Sequence, residues 1–370
     1  MTMGINKVVI SGGGTGGHIF PAIAIANEIK AKYPNADILF VGAKGKMEME
    51  KVPKAGYKIV GLPITGFQRR LAASNFVLPF KLIYSLIKAF FLLKSFKPDV
   101  VIGVGGYASG PILRVASFAS IPTIIQEQNS FPGKTNRILS KVVNTICVAY
   151  DGLDRFFPTE KIVFSGNPVR NEMVEIDGKK EKAITHFDLD PSKKTILIVG
   201  GSLGARTLNE SLVNALAKIK DANVQVVWQC GKFYFPEHDK QRKILADHNV
   251  HLHEFIMEMD LAYSCADVII SRAGAISVSE LCLVHKPVIL VPSPNVSDDH
   301  QTKNALALSN VNAAIVIKDI DARDHLIATS IELINDSMKC QELVQNIKQL
   351  GIPNAAERIV NEIEKITSKS

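Results

Sequence analysis

Four glycine-rich segments constrain this chain most: Gly12–His18, Gly103–Pro111, Gly200–Ala205 and Ser271–Ala275. Each follows a short apolar run and leads into a helix-length stretch. Glycine lets the backbone turn tightly and approach a ligand closely. The helix that follows offers N–H groups without intrahelical partners and the positive end of its dipole. That combination suits a phosphate or diphosphate. One such segment is commonly only a tight turn. Repetition at matching places is hard to assign to turn chemistry alone.

The apolar runs are rich in Val and Ile. Lys7–Ser11, Asp37–Gly42, Val100–Gly103, Thr123–Glu127 and Thr145–Val148 read as strands, with helices over Pro21–Lys32 and Ala108–Ala119. The pattern restarts after Gly166. Strands are expected at Thr195–Val199, Val224–Gln229, Val250–Glu254, Asp267–Ser271, Pro287–Val291 and Ala313–Ile317. Helices are expected at Ala205–Lys218, Glu237–Asp247, Ile276–Leu283 and Lys303–Ser309. Alternation of this kind means parallel sheets covered by helices on both faces.

A chain of 370 residues is long for one core. The expected fold is α/β, with two Rossmann-like doubly wound domains over residues 1–166 and 167–370. The joint falls at Ser165-Gly166-Asn167-Pro168, and a helical tail after Ile317 is able to pack back on the first domain. Ligands of such sheets bind beyond the carboxyl ends of the strands, so the two domains are expected to face a central cleft.

Charge divides unevenly. Residues 1–166 hold 20 Lys/Arg against 9 Asp/Glu, and residues 167–370 hold 23 against 27. The basic half points to a phosphorylated ligand, an anionic membrane or nucleic acid. The 5 cysteines are scattered without metal-ligand spacing, as suits a reducing compartment. No secretory pattern precedes the first strand. The segment Phe76–Phe96 is too interrupted by Lys81, Lys88 and Lys94 to span a bilayer. Helical spacing places Lys81, Ser85, Lys88 and Ser95 on one face and apolar residues over much of the rest. Arg69 and Arg70 precede it. It reads as a helix packed on the first domain that meets anionic lipid near Phe76–Phe80.

Gly12, Gly14 and Gly17 also satisfy a dinucleotide fingerprint, which wants an acid at the end of the second strand. Here that end reads Gly42-Ala43-Lys44, which argues against a nicotinamide enzyme. Glu127 stands at a ligand-facing strand end, as a base, a sugar ligand or a helix cap. His18 lies in the first turn of a helix, where the dipole favours the neutral imidazole that a general base needs. Arg170 suits a diphosphate or a hinge ion pair. Asp298 or Asp299 suits a helix cap. Two Asp-x-Asp strings, Asp188–Asp190 and Asp319–Asp321, read as capping residues rather than metal ligands.

Taken together, GGGTGGHIFPAIAIA, GVGGYASGP, QEQNSFPGKTNR, SGNPVR, GGSLGARTLN, SRAGAISVSE and DDHQTKNA resemble the MurG family of bacterial glycosyltransferases. The resemblance runs in order from about residue 5 to about residue 310. It implies the GT-B fold and inverting transfer of N-acetylglucosamine (GlcNAc) from UDP-GlcNAc to the 4-hydroxyl of the N-acetylmuramyl unit of lipid I, giving lipid II for peptidoglycan. It implies a peripheral place at the cytoplasmic face of the inner membrane, with cell-wall and division proteins as further partners, and no metal, cofactor or nucleic acid. Residue by residue, it implies His18 as base with Glu127 the alternative. Gly14, Thr15, Gly105, Gly106, Tyr107 and Asn136 would serve the acceptor. Thr15, Gly16, Gly17, Asn129, Arg170, Ser202, Ile256, Ala275, Ile276, Ser277, Val278, Ser279, Glu280 and Gln301 would serve the donor. Ile256 would meet uracil through its backbone, Glu280 the ribose and Gln301 the sugar. Leu203, Ala273 and His300 depart from the family's common residues. A sugar-nucleotide 2-epimerase of the same fold and a non-catalytic binder are the rival readings.

Overall fold

A computed structural model describes residues 4–64, 78–296 and 299–368. The chain divides into two units, Met1–Val169 with Pro353–Ser370, and Arg170–Ile352. The division falls three residues after the joint expected at Gly166. Asn167 explains the difference, because its side chain is bonded into the first unit. Its Oδ1 accepts from Gln126 Nε2 at 2.8 Å, and its Nδ2 donates to the Gln128 carbonyl at 3.0 Å. The tail joins the first unit through the helix Ala355–Thr367. Ile359, Val360 and Ile363 are fully buried beside Ile25 and Ile29. At roughly 1.5–3 kcal/mol for each buried aliphatic side chain, that face alone holds the helix in place. Lys32 adds an ion pair to Glu364 at 2.7 Å.

The first unit's sheet comprises β1 (Lys7–Ser11), β2 (Asp37–Ala43), β3 (Lys58–Leu62), β4 (Val100–Gly103), β5 (Thr123–Glu127), β6 (Thr145–Val148) and β7 (Ile162–Phe164). Their order is β3-β2-β1-β4-β5-β6-β7. The second unit has β8 (Lys194–Val199), β9 (Val224–Gln229), β10 (Val250–His253), β11 (Val268–Ser271), β12 (Val288–Leu290) and β13 (Ile315–Val316), ordered β10-β9-β8-β11-β12-β13. The pairings in both sheets are parallel. β1 and β4 are buried at nearly every position, as strands covered on both faces must be.

In each sheet the order reverses beside the first strand, at β1/β4 and at β8/β11. The glycine segments follow precisely those four strands, so each unit presents a pair of them at its switch point, where such folds bind ligands.

Several elements differ from expectation. β3 and β7 were not anticipated, because both are short and only partly buried. The helix expected over Ala205–Lys218 is two, Arg206–Val213 and Leu216–Asp221, because Ala215 leaves helical geometry at φ −120° and ψ 17°. The stretch Glu237–Asp247 breaks into Phe235–His238, a 3-10 turn and Arg242–Asp247.

In the first unit the helices are α1 (Gly16–Lys32), α2 (Glu48–Lys54), α3 (Leu78–Phe96), α4 (Ser109–Phe118) and α5 (Lys134–Leu139). α3 turns its smaller and more polar side inward. Ser85, Ala89 and Leu93 are its buried residues. Lys88 turns inward and donates to the Gly61 carbonyl at 2.9 Å. The outward face carries Phe80, Ile83, Tyr84, Ile87 and Phe91, with Phe80 73% and Phe91 63% exposed. Small and polar residues let α3 pack closely on α4, which leaves the large apolar residues to the surface. Phe76, Val77, Arg69 and Arg70 lie outside the described residues. Among the described residues no helix is long and apolar enough to cross a membrane.

Candidate active site

α1 begins at Gly16, directly after Thr15 in extended geometry, so its first turn opens beside the exposed Gly14 and Thr15. Gly14 has φ +87°, which glycine adopts without strain. The two glycine segments of this unit pack on each other. A Cβ at Gly106 would lie 2.5 Å from the Gly13 carbonyl oxygen, and one at Gly105 would lie 2.7 Å from His18 Cδ2. Ser109 fixes the second segment by bonding to the carbonyls of Ser11 at 2.9 Å and Gly105 at 2.8 Å. Tyr107 is half exposed.

His18 Nδ1 lies 2.9 Å from the Gly13 carbonyl oxygen. A carbonyl only accepts, so Nδ1 carries the hydrogen. In the neutral ring Nε2 then holds the lone pair, beside Gly105. That is the tautomer a base acting through Nε2 requires.

Glu127 is placed otherwise. It is buried, and its Oε1 accepts from the backbone N–H of Asn129 at 3.0 Å and from Asn129 Nδ2 at 3.2 Å. Its Oε2 accepts from the Gly133 N–H at 3.1 Å and Asn136 Nδ2 at 2.9 Å. Four donors occupy the lone pairs a base would use. The carboxylate ties the loop between β5 and α5 together instead. Asn136 is buried, and its Nδ2 donates to that carboxylate and to the Gln126 carbonyl at 3.3 Å, so it braces the loop.

In the second unit Ser202 is exposed between β8 and the Arg206–Val213 helix. The helix Ala275–Val284 starts from Gly274 in extended geometry. Ala275 and Val278 have buried side chains, so any ligand contact there is through the backbone. The Val278 N–H is already bonded to the Gly274 carbonyl at 2.9 Å. Ser279 Oγ donates to the Ala275 carbonyl at 3.1 Å. Burial raises the Glu280 carboxyl from 4.5 to about 7, opposed by the charge of Arg170 and a hydrogen bond from Tyr263. The Tyr263 hydroxyl stands 3.3 Å from Glu280 Oε2. Arg170 is thus close enough to act on Glu280 electrostatically. The Ile256 N–H is taken by Gln229 Oε1 at 2.9 Å, which leaves the carbonyl as its backbone group for a base edge. Gln301 Oε1 accepts from the Ser293 N–H at 2.9 Å and so turns its amide hydrogens to other partners.

The Asp-x-Asp strings have other partners. Asp190 accepts from the Ser192 N–H at 2.9 Å and its hydroxyl at 2.6 Å, closing a local turn. Asp319 does not cap a helix. It pairs with Arg272 and accepts from Thr207 Oγ1 at 2.9 Å. Arg272 also donates to the Val291 carbonyl at 3.0 Å, so this cluster ties the ends of two strands to the helix after the third glycine segment. Asp299 Oδ1 accepts from Thr302 Oγ1 at 2.7 Å in the first turn of the His300–Ser309 helix, while Asp298 lies outside the described residues. Sequence reasoning passed over Glu48, Tyr263 and Gln229, which reach the glycine segments or their neighbours from adjacent elements, so only the folded chain places them there. Arg272, inside the fourth segment, was given no role of its own.

Two doubly wound units, each with paired glycine segments at its switch point, are the units of the GT-B fold, and the matching family models make the chain a glycosyltransferase. The family model "Glycosyltransferase family 28 N-terminal domain" matches residues 8–148, and the family's C-terminal domain matches residues 195–359. A Flavobacterium psychrophilum protein named "UDP-N-acetylglucosamine--N-acetylmuramyl-(pentapeptide) pyrophosphoryl-undecaprenol N-acetylglucosamine transferase" is 54% identical over 97% of each chain. A Parabacteroides distasonis protein of the same name is 53% identical over 98% of this chain and 99% of its own. The crystal structure of Acinetobacter baumannii MurG matches with TM-score 0.76 at 30% identity, over 97% of this chain and 99% of that one. A UDP-N-acetylglucosamine 2-epimerase matches at 16% identity and TM-score 0.64, a likeness of fold alone. The chain belongs to the MurG family within glycosyltransferase family 28.

Proposed function

We infer that this chain transfers GlcNAc from UDP-GlcNAc to the 4-hydroxyl of the N-acetylmuramyl unit of lipid I, forming lipid II with inversion at the anomeric carbon. The observation that carries the chemistry is the bond from His18 Nδ1 to the Gly13 carbonyl at 2.9 Å, which leaves Nε2 as the acceptor. His18 Nε2 takes the proton from the acceptor hydroxyl. The freed oxygen pair forms the new bond to the anomeric carbon, and the bond from that carbon to the UDP oxygen breaks.

The first unit's glycine segments and the first turn of α1 hold the acceptor diphosphate. In the second unit Ser202 and Arg170 take the departing diphosphate, Glu280 the ribose hydroxyls, the Ile256 carbonyl the uracil N–H, and Gln301 the sugar. N–H groups and a guanidinium aimed at developing charge stabilise it without a metal ion. The commitments of Asp190 and Asp319 to Ser192 and Arg272 support that part of the reading. The outward face of α3 rests on an anionic membrane, which puts the acceptor's lipid chain and this unit at one surface. Its exposed aromatic residues and the exposed Lys94 support this reading.

The test is UDP release with UDP-GlcNAc and a short-chain lipid I analogue. Release only when the acceptor is present, unchanged by a chelator, is the expected result. An isomerised sugar without acceptor would point to an epimerase, and loss of rate with the chelator would remove the metal-free reading.

A further inference from the structure

Beneath the first glycine segment lies a carboxylate that the transfer chemistry above does not use. Glu48, at the start of α2, is only 1% exposed. Its Oε1 accepts from the Ala43 N–H at 2.9 Å and its Oε2 from the Gly14 N–H at 2.8 Å. The fit is close enough to dictate neighbouring residues. A Cβ at Gly13 would lie 2.2 Å from Glu48 Oε1, and one at Gly42 would lie 2.5 Å from Glu48 Cγ. A carboxyl group buried there needs a hydrogen-bond donor to offset its desolvation.

The peptide group between Gly13 and Gly14 supplies it. Its N–H donates to Glu48 at 2.8 Å, and its carbonyl accepts from His18 Nδ1 at 2.9 Å. One planar amide therefore links carboxylate to imidazole. We propose that Glu48 is a positioning residue for transfer, holding and polarising the Gly13–Gly14 peptide so that its carbonyl fixes His18 with the hydrogen on Nδ1. The arrangement matches a carboxylate–histidine pair with a peptide group interposed. A carboxylate on the N–H side draws electron density toward the carbonyl oxygen, which strengthens its bond to Nδ1–H and favours the imidazolium formed when Nε2 takes a proton. Every hydrogen in the relay stays on its own nitrogen; only Nε2 gains one. This rests on His18 being the base.

The experiment is a double-mutant cycle in the intact chain with UDP-GlcNAc and the lipid I analogue: Glu48→Gln, His18→Ala and both. Glutamine offers one uncharged acceptor for two N–H groups, so the hold on the Gly13–Gly14 peptide is weakened or lost. Glu48→Gln is expected to lower kcat by about 10–100-fold with donor KM within about twofold. In the His18→Ala background the same substitution is expected to cost less than about twofold, because its effect passes through the imidazole. An equal loss in both backgrounds would overturn the proposal and make Glu48 purely structural. Nitrogen-15 NMR of the wild-type chain, with His18 assigned by difference from His18→Ala, reads the tautomer independently of any folding defect. Neutral His18 with hydrogen on Nδ1 is expected, shifting toward Nε2–H in Glu48→Gln. Hydrogen on Nε2 in the wild type would also overturn the proposal. Near-normal turnover by His18→Ala would instead remove His18 as base, and with it the role of Glu48 in transfer, whatever the tautomer.

Discussion

Donor binding should depend on pH through Glu280. Its carboxyl is raised from 4.5 to about 7, first by burial, with Arg170 and Tyr263 opposing. At 1.36 kcal/mol per pH unit, ionising it in the folded chain costs on the order of 3 kcal/mol more than in water. A ribose diol donates to the carboxylate and so binds the ionised form. UDP-GlcNAc, a diphosphate diester, has no group of its own titrating near neutrality. Donor Kd should therefore be flat above about pH 8 and rise as pH falls through 7, reaching about tenfold weaker at about pH 6. Calorimetric titration of the intact chain with UDP-GlcNAc, without acceptor, measures this apart from the base. Glu280→Gln should bind more weakly at about pH 8 and show no dependence between there and about pH 6. Tyr263→Phe removes a bond to the carboxylate and should move the wild-type rise to higher pH. A flat wild-type profile, or one that persists in Glu280→Gln, refutes the assignment. The stability counterpart has the sign of a raised carboxyl. The folded state holds the extra proton between pH 4.5 and about 7, so Glu280's contribution is fully present below 4.5 and is lost as pH rises through about 7.

Two further outcomes follow from the first unit. Gly106→Ala places a methyl 2.5 Å from the Gly13 carbonyl at a residue with φ +86°, so it should destabilise by about 1–3 kcal/mol and lower kcat more than donor KM. Steady-state kinetics and a thermal melt check it, and near-normal kcat would show that the two glycine segments do not need their close approach. Replacing Phe80 and Phe91 by serine removes two exposed rings and should leave the melting midpoint nearly unchanged. Co-sedimentation with phosphatidylglycerol vesicles should fall by at least about tenfold. Unaltered sedimentation would sink the membrane role of α3.

Periodicity revealed the sheet architecture because strands covered on both faces, such as β1 and β4, read as unbroken apolar runs between glycines. The short strands β3 and β7 carry no such signal. For α3 the sequence shows two faces but not which faces inward. Burial usually follows hydrophobicity, and here close packing on α4 reverses it by taking Ser85 and Ala89 inside. His18 could be singled out because its place in a first turn has a local electrostatic consequence. The position of Glu127 at a strand end is likewise local, but its role is not. That depends on donors from Asn129, Gly133 and Asn136, which the loop brings together only on folding.

The glycines show how one local signal conceals two causes. Gly14 meets the expectation of a positive φ at a tight turn beside a helix start. Gly13 and Gly42 are glycine for another reason: neither has a positive φ, and a side chain at either would displace Glu48. A phosphate-binding segment requires backbone approach from outside, whereas this one also accepts a carboxylate from inside. The two demands meet in the Gly13–Gly14 peptide, whose N–H is spent on Glu48 and is therefore withdrawn from ligand binding. If the acceptor diphosphate binds here as proposed, the donors left to it are those of the first turn of α1, where the helix dipole adds to them. On that reading the segment separates its functions along its length, with Gly13 and Gly14 orienting the base and Thr15 to Gly17 facing the phosphate.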